Sequence, residues 1–395
     1  MRFPEFTEEW ETKKLGEIAT FSKGKGISKS DIEENGIIEC IRYGELYTHY
    51  REVINEIKSK TNVNTSTLVL SEMNDVIIPA SGETTIDIAT ASCVMKSGIA
   101  LGGDLNIIKT KNNGIFLSYY LNSKKKMEIA NLAQGISVVH LYSSQLASLS
   151  LSLPKLNEQN RISSFLALID ERIQTQNKII GQLETLIKGL SEKIYSQKIR
   201  FKKFTEKWEV KKLGEIATFY SGGTPLTSKR EYFNGNIPFI RSGEINCGKT
   251  EQFISELGLK NSSAKIVEVG DILYALYGAT SGEIGLSKIR GAINQAVLCI
   301  KSDQNHYFIY SYLSYKKESI VSRYLQGGQG NLSAEIVKQI KIYIPALEEQ
   351  INIAGLLSTI DQKLQIEKKI LIKHQSQKQY LLQNLFSRSL TKPTI

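Results

Sequence analysis

The chain has 395 residues, 41% hydrophobic and 23% charged, with a net charge of +10 and a pI near 9.1. That length suits two or three domains, and the balance excludes a disordered or collagenous chain. The basic excess permits a nucleic acid partner but is unevenly spread, with residues 1–150 at net −2 and residues 201–344 at net +6. The four cysteines, Cys40, Cys93, Cys247 and Cys299, stand too far apart for a zinc knuckle, so reduced thiols are expected. No apolar run approaches the roughly 20 residues of a membrane span, and the acidic, polar N-terminus does not suit a signal peptide, so a cytoplasmic protein is expected.

In chain order, residues 3–21 read FPEFTEEWETKKLGEIATF and return at 201–219 as FKKFTEKWEVKKLGEIATF. A repeat this close marks a duplication. Both tryptophans, Trp10 and Trp208, fall at equivalent places, where core packing or a docking staple is the favoured role of the aromatic residues. Residues 22–153 alternate short apolar runs with Gly, Asn and Asp. Strands are predicted at 37–42, 68–70, 75–79, 105–109 and 149–153, and helices at 115–133 and 141–147. Residues 220–344 repeat that order, with strands at 237–241, 266–269, 271–276, 296–301 and 340–344 and helices at 306–325 and 333–339.

After each mixed region comes a long heptad pattern. Ile162, Leu166, Ile169, Ile173, Gln176, Ile180, Leu183, Ile187, Leu190 and Ile194 recur at steps of four and three. A shift of 191 gives Ile353, Leu357, Ile360, Leu364, Glu367, Leu371, His374, Lys378, Leu381 and Leu385. Such spacing predicts two long helices that bury their seams on one another as an antiparallel coiled coil, each roughly 50 Å long at about 1.5 Å per residue. His374 and Lys378 interrupt the second seam, and either a partner or solvent suits them. The expected class is mixed α/β: two similar units and two long helices, pseudo-two-fold through duplication. The boundaries are 1–153 and 201–344 for the units, and 154–200 and 345–390 for the helices.

The duplicated layout, with Gly222-Gly-Thr-Pro225, Tyr232-Phe-x-Gly-x-Ile-Pro238, Gly270-Asp-Ile-Leu, Asn294-Gln-Ala and Pro345-x-Leu-x-Glu-Gln350, resembles the DNA-specificity subunit of type I restriction-modification systems. The resemblance spans essentially the whole chain. In the first unit Lys23-Gly-Lys-Gly26 stands where the Gly-Gly-Thr-Pro motif does, and no Asn-Gln-Ala equivalent is clear. The resemblance implies two target-recognition domains that each read half of a bipartite double-stranded DNA site. It also implies a helix pair acting as a ruler, two docked methyltransferase subunits, and restriction and translocase subunits. S-adenosylmethionine, ATP and Mg would then belong to those partners, with no cofactor or metal on this chain. Framework segments match between the repeats while residues 22–74 and 220–270 diverge, which suits one task performed on two targets.

Base edges are read by Arg, Lys, Asn, Gln, Ser and Thr on loops. On this reading the first unit's candidates are Lys23, Lys25, Arg42, Tyr43, Ser81, Glu83 and Thr84. The second unit's are Tyr220, Ser221, Thr224, Lys229, Arg230, Arg241, Tyr277, Thr280, Ser281, Gln329 and Asn331. Arg42 and Arg241 share the context Ile-Arg-x-Gly-Glu, which points to a common structural or phosphate role.

Two other functions are open at this stage. Gly243-Glu-Ile-Asn-Cys-Gly-Lys-Thr250 fits the pattern of a phosphate-binding P-loop after a strand, although its interior Glu244 would oppose phosphate. A coiled-coil adaptor that binds only proteins is the third possibility. The chain has no Pro-Pro for an amino-methyltransferase loop and too few His and Cys for a compelling nucleophile–base pair, so no catalysis is expected of it.

Overall fold

The computed structural model describes residues 2–135, 137–324 and 331–386. The chain forms two compact units, one of residues up to Asn177 together with those from Ile370 onward, the other of Lys178–Lys369. Each unit contains a mixed α/β head and parts of both long helices, Leu156–Tyr195 and Leu347–Leu385.

In the first unit the central sheet has the order Ala19–Lys23, Leu105–Thr110, Val76–Pro79, Ser92–Val94, Val53–Ile54. Its inner strands, Val76–Pro79, Ser92–Val94 and the first part of Leu105–Thr110, are buried at successive positions because both faces are covered. Val76, Ile78 and Ile108 face a core shared with the helix Gly114–Tyr120 and the long-helix seam. Ile77 and Ile107 face a second core with Ile41 and Leu101 of a four-stranded sheet, Ser59–Thr61, Ile38–Ile41, Ala100–Leu101, Val69–Leu70. A separate ribbon pairs Glu11–Lys14 with Ser150–Leu153.

The second unit repeats the plan. Its central sheet runs Ala217–Ser221, Val297–Ser302, Ile272–Ala275, Ile284–Leu286, and its second sheet runs Gln252–Ile254, Phe233–Ile240, Gly291–Ile293, Lys265–Val267. The ribbon recurs as Glu209–Lys212 with Lys341–Ile344. One helix differs. His306–Tyr324 is continuous, whereas its counterpart passes through a π-helical segment, Leu121–Lys125, before continuing as Lys126–Leu132.

Most of the heptad seam is buried as expected, while Leu183, Ile187, Leu190, Ile360, Leu371 and His374 are half-buried. Ile162, Leu166, Ile169 and Ile173 join the first unit's core beside Leu381 and Leu385. Ile194 joins the second unit's core beside Ile353 and Leu357. The helices run antiparallel within each unit. Asp170 meets Lys378 in the first, while in the second Glu184 meets Lys368 and Ile194 packs near Ile353. The paired polar seam positions Gln176 and Glu367 are buried. Lys378 turns inward rather than to solvent. Its ammonium lies 2.8 Å from Asp170 and 3.0 Å from Glu52 and sits over the Tyr119 ring, so the seam's apparent weak point is an internal ion cluster.

The repeated Glu-Gln pair at each long-helix start is a latch. Glu158 accepts from Arg2 and from the Trp10 indole, and Glu349 from Arg200 and the Trp208 indole. Gln159 and Gln350 accept from the backbone N–H of Asn113 and Asn305 at the starts of the head helices. At the other end of each helix an aromatic ring docks on a head. Phe386 packs on Phe116 and Tyr120, and Tyr195 on Phe308 and Tyr312. The entry aromatics are therefore staples, as their repetition suggested.

Burial pushes the Cys40 thiol up to about 11 and those of Cys93 and Cys299 to about 12, with Glu45, Asp75 and, for Cys299, the Tyr220 phenol as lesser influences. Cys247 is exposed. Native protein should therefore react rapidly with a thiol reagent at Cys247 alone, and unfolding should release the other three. Because the folded thiols keep protons that unfolded ones lose near pH 9, stability should fall as pH rises from about 9 toward about 12. Counting reactive thiols against urea concentration checks the first point, and denaturation midpoints between pH 8 and 10.5 check the second.

Candidate nucleic-acid interface

Strand register decides where the polar loops emerge. In the first unit Lys23 lies opposite Asn106, and Leu105 opposite Pro79, so residues 24–27, 80–84 and 102–104 leave the sheet at one end. In the second unit Ser221 lies opposite Leu298, and Val297 opposite Ala275, so residues 222–225, 276–281 and 294–296 leave at the same end. A further loop joins each cluster. Leu141 N–H donates to the Ala80 carbonyl at 2.9 Å, and Leu332 N–H donates to the Leu276 carbonyl at 2.8 Å.

The equivalent of Gly222 is Gly24, one place along from the sequence reading. The match of Lys23 with Ser221 in strand register fixes it, and both glycines do the same work. A Cβ at Gly24 would meet the Gly102 carbonyl at 2.0 Å, and one at Gly222 would meet the Ile293 carbonyl at 1.7 Å. The first unit thus keeps the close backbone approach of the Gly-Gly-Thr-Pro motif with only one of its residues.

The candidates divide by what their side chains touch. Lys23 is exposed and lies over the Tyr142 ring, which stacks on His140. Lys25 and Glu83 are exposed. Thr84 caps the helix Thr85–Ile88 by accepting from Asp87 N–H. Ser81 is buried in a two-strand pairing with His140, so its side chain stands away from the loop surface. In the second unit Lys229 lies over the Tyr232 ring and Arg230 is exposed. Thr224 donates to the exposed Gln295 at 2.7 Å, and Asn331 is exposed. Ser221 is half-buried at its strand end. The Tyr220 phenol donates inward to the Ile266 carbonyl, and the Ser281 hydroxyl donates to the Leu276 carbonyl. Tyr277 packs against the core, and the Thr280 carbonyl closes a turn with Glu283. Gln329 lies outside the described residues.

Arg42 and Arg241 take the shared structural role. Each precedes a short helical turn whose glutamate accepts from the arginine's own N–H, Glu45 at 3.0 Å and Glu244 at 3.1 Å, and pairs with its guanidinium. Arg241 is also paired to Glu251, and these hydrogen bonds raise its guanidinium further above its ordinary range. Arg42 and Tyr43 still border an open cleft of about 710 Å³ in the first unit. Lys29, Thr48, His49 and Asp104 share its walls. Sequence reasoning missed these residues and also His140, Tyr142 and Gln295. Only Gln295, inside the quoted Asn-Gln-Ala motif, carried a usable signal.

The P-loop match fails on geometry. The segment Gly243–Thr250 holds a short turn, Ser242–Glu244, and runs into the strand Gln252–Ile254, so no helix N-terminus faces a phosphate. The Glu244 carboxylate already accepts from Arg241 and from Glu251 N–H inside the loop. A phosphate would meet that charge directly. Among the described residues no cluster of His, Cys, Asp and Glu suits a metal ion, and no helix is long and apolar enough to cross a membrane.

Comparison with known proteins agrees with this layout. The model of the type I restriction modification DNA specificity domain matches twice, over residues 7–185 and 205–373. The type I restriction enzyme MjaVIII specificity subunit of Methanocaldococcus jannaschii is 25% identical over 389 residues, covering 92% of this chain and 88% of that protein. The fold is shared with the crystal structure of a type I restriction-modification S subunit from M. genitalium, with a TM-score of 0.71 at 20% identity over 96% of each chain. It is also shared with a chain from a structure addressing complex assembly and conformational transition of the type I system, with a TM-score of 0.55 at 16% identity over 97% of this chain and 99% of that one. Two family matches on one duplicated chain, one for each head with the helix that follows it, leave neither the nucleotide-binding nor the adaptor reading any support: the chain belongs to the type I restriction modification DNA specificity domain family.

Proposed function

We propose that this chain is the sequence-reading subunit of a type I restriction-modification complex. Each head reads one half of a gapped double-stranded DNA site, and the long helices set the gap and dock two methyltransferase subunits. Restriction and translocase subunits join for cleavage. The chain performs no catalysis; S-adenosylmethionine, ATP and Mg act on its partners, and the complex works in the cytoplasm. The observation that carries this reading is the gathering of divergent polar loops at the same end of two matched sheets. A common scaffold that varies only at one end suits two different targets.

The test is methylation mapping. The chain is coexpressed with the methyltransferase subunit of its own locus in an unmethylated host, and modified adenines are read across the genome. One gapped motif with two unlike halves is expected. A well-formed complex that leaves no motif would end the proposal. On this reading the exposed Lys23 and Lys25 neutralise phosphates rather than select bases. Replacing either with alanine should weaken binding about equally across sequences and reduce the slope of log K against log salt by about 1. Titrations of specific and random duplexes at several salt concentrations check this, and an altered motif would assign the lysine to base reading.

A further inference from the structure

The duplication supplies an internal comparison. In the first unit the Lys378 ammonium is held between Asp170 and Glu52 over the Tyr119 ring. Tyr119 is fully buried and donates to Asp170. At the repeat offsets the second unit keeps the aspartate, as Asp361, but has Ile187 in place of Lys378 and Ser311 in place of Tyr119. Among the described residues, the strand Val53–Ile54 that follows Glu52 has no counterpart in the second unit's central sheet. Where the first unit is filled, the second has an open cleft of about 610 Å³.

The chemistry of that cleft suits the missing cation. Ile187, Leu357 and Leu364 supply apolar wall for an alkyl stem, and Tyr307 and Tyr310 line it with aromatic surface, while the Tyr315 ring is already stacked on Tyr195 and covered by Lys316. Burial, with Asp361 next, holds the Tyr307 and Tyr310 phenols above their ordinary range, so they stay neutral. The lysines at the rim are engaged elsewhere. Lys317 pairs with Glu283 and Lys188 lies 3.7 Å from Glu318. Glu184 is occupied by Lys368, whereas Asp361 is hydrogen-bonded to the Tyr307 phenol and enters no ion pair among the described residues. The helices that flank the cleft also expose Leu186, Leu356 and Ile366 in this unit, an apolar surface that favours a protein over a free polyamine.

We propose that the cleft beside Asp361 receives a lysine side chain of a protein partner, in the place that Lys378 fills internally in the first unit. The partner enters alkyl stem first along Ile187 and Leu364, and its ammonium rests on Asp361 among the tyrosines. The proposal rests on the complex-forming reading above for the existence of a partner. It assigns a contact that only the second unit offers, so the two halves of the chain engage their partners differently.

The test uses the full chain and the complex assembled in cells from its own locus. Carbodiimide treatment and mass spectrometry are expected to find Asp361 joined by an amide to a lysine of another polypeptide. Ile187→Lys with Ser311→Tyr restores the lysine and the tyrosine of the first unit's cluster, without its Glu52, and leaves Asp361 in place. It should abolish that cross-link and weaken assembly at least tenfold, while the thermal midpoint of the free chain holds or rises. Asp361 left uncoupled in the wild-type complex, or coupled only within its own chain, overturns the proposal, as does unchanged assembly of the double variant. Stabilisation of the free chain by spermidine at constant ionic strength, lost in the double variant with assembly unaffected, assigns the cleft to a free polyamine and overturns it too. A normal gapped motif without the cross-link sinks only this inference, and the cross-link without a motif sinks only the reading above.

Discussion

Replacing Lys378 with methionine is expected to destabilise the first unit by about 3 kcal/mol. The lysine side chain is only 12% exposed, and its two carboxylate partners, Asp170 and Glu52, are 11% and 14% exposed. Methionine preserves most of the stem and its packing on the Tyr119 ring, so the loss isolates the charge. What remains is two carboxylates with little water and no cation, beside a tyrosine that can donate to only one of them. Unpaired buried charge costs far more than the pair's own net worth, so the remedy is to neutralise the survivors. Asp170→Asn with Glu52→Gln on the methionine background should recover most of the loss. The two tryptophans make the measurement local, since Trp10 lies in the first unit and Trp208 in the second. A Trp208→Phe background leaves Trp10 fluorescence to follow the first unit alone through a urea titration. An unchanged midpoint would show that water reaches the cluster and that the ion pairs contribute little. The equivalent change in the second unit, Ile187→Met, is a volume-conserving swap and should cost under about 1.5 kcal/mol.

The same lysine shows why part of the fold could not be read from sequence. The long helices were legible because nine apolar side chains in the first and seven in the second, at four-three spacing, leave no other way to bury one stripe, and even the polar Gln176 and Glu367 fell on the buried face. Lys378 looked like a defect in that stripe because Asp170 and Glu52, which neutralise it, are distant in sequence. The central strands Val76–Pro79 and Leu105–Thr110 were legible for a similar reason, being long apolar runs covered on both faces. Ala19–Lys23 and the two-residue strands Val53–Ile54 and Ala100–Leu101 were not, since segments so short carry no periodicity and are fixed only by their neighbours. At the candidate interface, residue type found loops that gather at one end of each sheet but could not tell outward from inward side chains. Ser81 is buried and Tyr220 donates to an internal carbonyl, while His140 and Tyr142 went unnoticed because nothing in their local sequence ties them to Lys23. Arg42 and Arg241 were foreseen because their motif contains the glutamate that binds them.

Removing one heptad from each long helix should shorten the gap in the methylated motif, and no active complex should keep the original gap. Suitable segments are residues 174–180 and 370–376. They lie between the Asp170–Lys378 bridge and the Glu184–Lys368 bridge, so both bridges and both latches survive. Seven residues are two turns of the seam, so the apolar stripe is realigned with an error of only about 20°. The helix meanwhile loses about 10.5 Å of length at about 1.5 Å per residue. Duplex DNA advances about 3.4 Å per base pair, which caps the change at about 3 base pairs whatever the angle between helix and duplex. Deleting four residues instead breaks the stripe, turning the later half of each helix by about 40° against its partner, and should abolish assembly rather than reset the gap. Methylation mapping of both variants separates these outcomes. An unchanged gap in an active seven-residue variant would mean that the reading heads are positioned by the docked subunits, and the helices would then serve as an attachment site and not as a ruler.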